Sequence, residues 1–273
     1  MTIAEVTNAQ FIEEWQAWHE ALDAARAAPE GFLAYAGFNI LTSVPQRFEH
    51  IPGLWSTGDG GPVVELGEGE SLRIDDVEIT GRHAYGVIGE RTFHRAGYRD
   101  GGVELSRRGG YDIVRPLRPD TPVRLAFTGT PTYEPDPRWV IDGVFEPFDG
   151  EPDIAIQAAI APIVHTHTAA GRIRFTFEGE EHTLVALRRG ADAATIPFKD
   201  ATSGVTTYGA SRTLAVSLPS DGGSSVTLDF NRASNLQCAY IDFSPCPLAP
   251  AENRLPFPVE AGEKIPSARS SDF

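Results

Sequence analysis

The 273-residue chain carries 23 Lys and Arg against 38 Asp and Glu, a formal net charge of -15, with 41% hydrophobic and 22% charged residues. A chain of this size buries roughly three quarters of the surface it exposes when unfolded, so its core requires neither metal nor disulfide. The acidic balance repels phosphate backbones and no dense Lys/Arg cluster offsets it, which argues against nucleic acid as a partner.

The first predicted element is a helix. Thr7 with Gln10 has the form of a capping box, and Phe11, Trp15, Trp18 and Leu22 follow at helical spacing until Pro29 and Gly31. The aromatic stripe reads as packing against the body. No basic leader with an apolar stretch stands here, and no window nears the roughly 18 apolar residues of a membrane span, so the expected compartment is the cytoplasm, with no membrane partner.

From residue 32 the pattern changes to short apolar or alternating runs broken by Gly, Pro, Asp and Asn. Strands are predicted at 32–41, 63–66, 71–74, 77–80, 85–88, 91–94, 103–105, 110–114, 123–128 and 140–145, then at 154–157, 172–177, 181–187, 195–198, 206–208, 213–217 and 226–229. Glu178 with Gly179 separates two alternating runs as a hairpin turn, and Asp221 with Gly222 and Gly223 reads as a second. Alternation past 226 would put Asp229 and Asn231 on one face, with Phe230 and Arg232 on the other.

The expected fold is mainly β. An N-terminal helix (1–30) precedes a large antiparallel β-sandwich or barrel-like body (31–265), in which FDGEPD marks a candidate boundary between two lobes at 148–152. A long irregular C-terminal segment packs on the sheets, and residues 266–273 form a frayed tail.

The densest polar stretch is 226–264, VTLDFNRASNLQCAYIDFSPCPLAPAENRLPFPVEAGEK. Buried charges need partners, so Arg232 and Arg254 should meet carboxylates such as Asp229, Glu252, Glu260 or Glu263. A cleft there would offer Asp229 or Glu252 as a base and arginines or Asn231 to hold an anion, whereas the same groups could equally form a salt-bridge lattice pinning the segment. In FKDATSGVTTYGASR, Tyr208 is a candidate general acid beside Arg212, and Asp200 with Thr202 suits a turn.

His165 and His167 alternate on a strand, with His182 on a later one. No carboxylate stands at ligand spacing, so exposed strand-end histidines are expected and not a metal site. Cys238 and Cys246 read as structural thiols; a bridge between them would close a short loop worth about 2.5 kcal/mol. Lys199 and Lys264 are the only lysines, a bias that a GC-rich bacterial-like genome explains. GxxxxGK[ST], GxGxxG before a helix, GxSxG and HExxH are all missing, which weakens nucleotide, α/β-hydrolase and metalloprotease readings.

FKDATSGVTTYGASRTLAV, VTLDFNRASNLQCAY, CPLAPAENRLPFPVEAGEK and, upstream, RWVIDGVFEPF resemble the family called domain of unknown function 1684. On those motifs Asp200, Thr202, Gly204, Tyr208, Arg212, Asp229, Asn231, Arg232, Asn235, Cys238, Cys246, Glu252, Asn253, Glu260, Gly262 and Glu263 occupy family positions. Ser234 and the pair Leu236 and Gln237 depart from the family's tyrosine and proline pair, which marks a divergent member. The resemblance implies a soluble β-rich fold and no particular activity.

The expected function is a metal-independent enzyme without cofactor, acting on a small organic molecule by acid-base chemistry in a cleft walled by the C-terminal segment. Asp229, Glu252 and Tyr208 would be catalytic, with Asn231, Arg232, Arg212, Asn253, Arg254 and Asp200 holding the substrate. A non-catalytic small-molecule-binding β protein and a structural or interaction protein are the alternatives. Substrate, reaction class and oligomeric state are left open.

Overall fold

A computed structural model describes residues 8–220 and 223–270. Thr7 of the expected capping box and the turn residues Asp221 and Gly222 lie outside that set. The protein is mainly β. Helix α1 (Asn8–Ala27) is followed by β1 (Asn39–Ile40), β2 (Leu54–Ser56), β3 (Val63–Glu65), β4 (Leu72–Ile74), β5 (Val77–Ile79), β6 (Arg82–Ala84), β7 (Phe93–Tyr98), β8 (Gly101–Arg108), β9 (Tyr111–Leu117) and the short helix α2 (Pro122–Leu125). Then come β10 (Val140–Pro147), β11 (Asp153–Gln157), β12 (Val164–Phe177), β13 (Glu180–Arg188), β14 (Ala193–Phe198), β15 (Arg212–Ser217), β16 (Ser225–Asp229) and β17 (Ser234–Asn235).

Two compact units divide the chain, one of residues 1–24, 128–240 and 246–269, the other of 25–127, 241–245 and 270–273. Residues 148–152, where the sequence suggested a lobe boundary, fall inside the first unit. That unit is built on one antiparallel sheet in the order β16-β10-β12-β13-β14-β15-β17, with β11 paired to the first half of β12. Its core joins Trp139, Phe145, Ile173, Phe175, Leu184, Ile196, Phe198, Leu214, Leu228 and Phe230 on one face. Burying a side chain of this size contributes about 1.5–3 kcal/mol. A smaller cluster, Ile156, Ala169, Val185 and Leu187, forms separately from it. The β12–β13 hairpin closes where expected: Phe177 pairs with Glu180, and Glu178 (φ 51°) and Gly179 (φ 84°) both take the left-handed conformation that a tight two-residue turn needs.

The second unit holds a six-stranded sheet, β1-β9-β8-β7-β4-β5, and a three-stranded one, β2-β3-β6. Trp55, Val64, Leu72, Val103, Leu105 and Val114 form its core. Among the described residues no sheet closes on itself, and no helix is long and apolar enough to cross a membrane.

Several predicted strands take other forms. Segment 32–41 begins as a 3-10 turn, Phe32–Ala34, because Gly31 passes so close to the end of α1 that a Cβ would meet the Arg26 carbonyl at 2.3 Å. Segment 123–128 starts as α2, since Pro122 at the first helical position presets φ and lacks only an N–H that would go unused. In 85–88 the strand lies just upstream as β6, and Ile88 is a buried plug. Segment 206–208 is a turn in which the Thr202 carbonyl accepts the N–H groups of Val205, Thr206 and Thr207. The strand after 226 stops at Asp229, whose side chain caps a 3-10 turn, Phe230–Arg232. Phe230 and Asn231 are therefore both buried and Arg232 is not, so strict alternation ends there. At the far end, Ser270 pairs with Ile241 where the sequence suggested fraying.

Candidate functional site

Asp200 follows directly after Lys199 at the end of β14, and Arg212 opens β15. The two charges form an ion pair at 2.8 Å with both side chains at 0% exposure. Arg212 also donates to the carbonyls of Val259 (3.0 Å), Ala261 and Glu263 (3.3 Å). Gly262 makes this cradle possible: its φ is 72°, and a Cβ would meet the Ala233 carbonyl at 2.4 Å. Asp200 Oδ1 accepts from Thr202 N–H (2.7 Å), the Thr202 hydroxyl (2.5 Å) and Val259 N–H (3.3 Å). Burial pulls the Arg212 guanidinium below its ordinary value, and Asp200 opposes that. Every strong partner of this pair is internal, so a substrate would reach Arg212 or Asp200 only by displacing the C-terminal segment.

Asn253 is equally committed. Its side-chain carbonyl accepts from Val185 N–H at 2.6 Å, and its amide donates to the carbonyls of Val185 (2.9 Å) and Pro197 (2.8 Å). This clip holds residues 253–255 against the end of β14, where Lys199 and Arg254 form a parallel bridge through Lys199 N–H to Asn253 O (2.9 Å) and Leu255 N–H to Lys199 O (2.8 Å). The bridge sets the backbones of two basic residues side by side. Both line a hollow of about 150 Å³, together with Ala210, Leu248, Ala249, Pro250 and Ala251. Among the described residues neither cation makes an ion pair, and neither does the exposed Glu252, two residues before Arg254.

Asp229, Asn231 and Arg232 gather elsewhere. Asp229 Oδ1 accepts from Asn231 N–H (3.1 Å) and from its side-chain amide (3.0 Å), and its other oxygen faces Arg232 Nε at 3.2 Å. The Asn231 side-chain amide also exchanges bonds with the Asp136 backbone at 2.9 and 3.0 Å, and the Asn231 backbone carbonyl accepts from the Trp15 indole at 2.7 Å. Arg232 lies over the Trp18 ring at 5.4 Å. The expected stripe of aromatics on α1 does pack against the body, and Asp229 is engaged by Asn231 and Arg232 and lines none of the described hollows.

Tyr208 belongs to a third group. Arg269 donates to its hydroxyl at 3.4 Å and stacks over its ring at 5.1 Å. Burial, then the neighbouring Cys238, pushes this hydroxyl up to about 12. Cys238 and Cys246 are buried free thiols, with Cys238 N–H donating to Cys246 Sγ at 3.2 Å. The hydrogen bond from Cys246 holds the Cys238 thiol below its usual range against burial, with Tyr208 assisting.

Two polar clusters escaped the sequence reading. His19 and Asp23, one turn apart on α1, meet the buried Glu263: His19 Nε2 faces Glu263 Oε1 at 3.2 Å and Nδ1 faces Asp23 Oδ2 at 3.9 Å. Glu263 Oε2 accepts from Asn235 N–H at 2.6 Å, and Asp23 takes Thr130 N–H and its hydroxyl at 2.9 Å. These three side chains bring ligand atoms within 4.8 Å of one another. With both ring nitrogens facing carboxylates, the arrangement suits an imidazole strapped between two acids better than one that keeps a nitrogen for a metal. In the other unit, Glu104 is buried at 2% exposure and binds Tyr35 hydroxyl (2.7 Å), Arg95 (3.1 Å) and Arg115. Burial opposes its ionisation, but Arg115, Tyr35 and Arg95 together hold its carboxyl below the usual range.

His165 and His167 correct an expectation of exposure. They pair with Ile156 and Ile154 across β11 and are 4% and 5% exposed. His182 lies apart, packed on Phe175 and Phe257.

The profile of the family described as "Protein of unknown function (DUF1684)" matches residues 125–264. The chain belongs to this family. The DUF1684 segment contains the Asp200–Arg212 pair, the Asn253 clip and the hollow, whereas α1 and the Glu104 cluster lie outside it. A solution NMR structure of the uncharacterized protein from gene locus rrnAC0354 of Haloarcula marismortui is 29% identical, covering 54% of this chain and 82% of that one, with a TM-score of 0.45. No curated protein matches the chain.

Proposed function

We propose that this protein takes up a small organic anion in the hollow between Lys199 and Arg254, as a cytoplasmic protein acting on a metabolite. The observation that carries this reading is that Lys199 and Arg254, paired through their backbones, line one hollow with no ion pair among the described residues, in a chain of net charge -15. Like charges lining one hollow repel, and a bound anion removes that repulsion while gaining two charge-assisted hydrogen bonds. Asn253 positions both cations by fixing the backbone between them.

The finer reading is metal-independent acid-base chemistry with Glu252 as base. Glu252 is exposed, follows the lining residue Ala251 without itself lining the hollow, and makes no ion pair among the described residues, whereas Asp229 is occupied by Asn231 and Arg232. Lys199 and Arg254 would then hold the negative charge that develops on proton removal. A second reading, a binding module without turnover, is favoured by Tyr208, which is not among the residues lining the hollow and whose hydroxyl burial pushes up to about 12, so it supplies no ready partner acid there.

The test is calorimetric titration and thermal shift with a panel of carboxylate and phosphate metabolites, on the native chain, Lys199→Ala with Arg254→Ala, and Glu252→Gln. Binding lost in the double variant supports the site. Turnover of the bound compound that falls about a hundredfold or more in Glu252→Gln, with binding kept, supports catalysis. Binding without turnover leaves the module, and binding unchanged in the double variant removes the site.

A further inference from the structure

The lining of the hollow says more about the ligand than its charge. Apart from Lys199 and Arg254, it is made by Ala210, Leu248, Ala249, Pro250 and Ala251, none of which has a polar side chain. The charged side chains of the lining are thus both cationic, and the remaining side chains are aliphatic. Resting on the anion site proposed above, we infer that the ligand is a short-chain aliphatic carboxylate, with its two oxygens on Lys199 and Arg254 and its hydrocarbon tail against Leu248 and Pro250.

A planar carboxylate matches the fork of an arginine with two parallel hydrogen bonds and leaves a lysine to complete its charge. A phosphate or sulfate carries further oxygens, and in this hollow those face alanine, leucine and proline side chains, where polar atoms lose their water without replacement. The volume sets the length. A cavity of about 150 Å³ accommodates a molecule the size of benzene, which corresponds to roughly three to five carbons in a carboxylic acid. Ala210 and Ala251, with the smallest side chains that still carry a Cβ, keep that space open.

Rigid geometry supports the same conclusion. The parallel bridge, the Asn253 clip and the bond from Leu248 N–H to Gln157 O at 2.9 Å fix three sides of the hollow to the sheet. A preformed apolar wall rewards each methylene that fits it, and each one buried tightens binding about fourfold.

The experiment is calorimetric titration of the full chain with acetate, propionate, butyrate, valerate and hexanoate, and with inorganic phosphate and sulfate. The expected result is a gain of about fourfold per added carbon that levels off near five, with phosphate and sulfate weaker than butyrate. Ala210→Leu fills the apolar side and should move the plateau to a shorter acid while acetate binding stays, a change that simple misfolding would not produce. Phosphate binding more tightly than every acid, with the same loss in the Lys199→Ala and Arg254→Ala double variant, overturns the ligand class and keeps the anion site. No binding by any of these anions overturns the class as well, and a flat response across the larger metabolite panel removes the site beneath it.

Discussion

Lys199 and Asp200 are consecutive residues, yet one ends in a hollow and the other in a sealed ion pair. Asp200 and Arg212 bond each other and six further backbone or hydroxyl groups inside the protein. Lys199 and Arg254 share a wall with no carboxylate between them. Residue type does not distinguish the two arginines; the supply of acceptors around each does. A guanidinium whose two terminal nitrogens are engaged from within holds the C-terminal segment down, and one without an ion pair at a concave surface is available to a ligand.

The largest expected effect separates these roles. Arg212→Ala leaves Asp200 buried without its counter-charge and should lower stability by about 3–5 kcal/mol, whereas Arg254→Ala should stay within about 0.5 kcal/mol. Urea unfolding of the two variants measures both, and comparable losses would end the distinction. Asn253→Ala comes next. It strands Val185 N–H and two carbonyls and should cost about 1–3 kcal/mol, while also loosening the bridge that sets Lys199 beside Arg254. Stability lost without any change in anion affinity would show that the clip does not position the hollow.

The smallest effect concerns pH. The folded value of Glu104 lies below its ordinary 4.5, so its contribution is complete above that value and is lost as pH falls through the folded value. Urea midpoints should therefore be steady from pH 7 to about 5 and fall in more acid solution. A midpoint that rises on acidification would mean that the Arg115 and Arg95 contacts do not favour the ionised acid.

Periodicity made α1, the β12–β13 hairpin and most strands legible, because amphipathic spacing and turn residues are local signals. Segments 32–41 and 123–128 were misread because Gly31 against the helix end and Pro122 at a helix start outweigh apolar content. Asn253 and Arg254 were visible as polar residues, but their division into clip and wall depends on Val185, Pro197 and Lys199, which lie far away in sequence. Lys199 itself drew attention only as one of two lysines. The His19–Glu263 contact joins residues 244 positions apart, and neither end has a local pattern that names the other.

That separation has a bearing on how the chain is made. A ribosome releases α1 well before residues 259–263, so His19 finds Glu263 and Arg212 finds the carbonyls of 259, 261 and 263 only once those residues have emerged. The first unit therefore reaches its final form late in synthesis, by slow non-local closure, and until then its nascent charges remain in water.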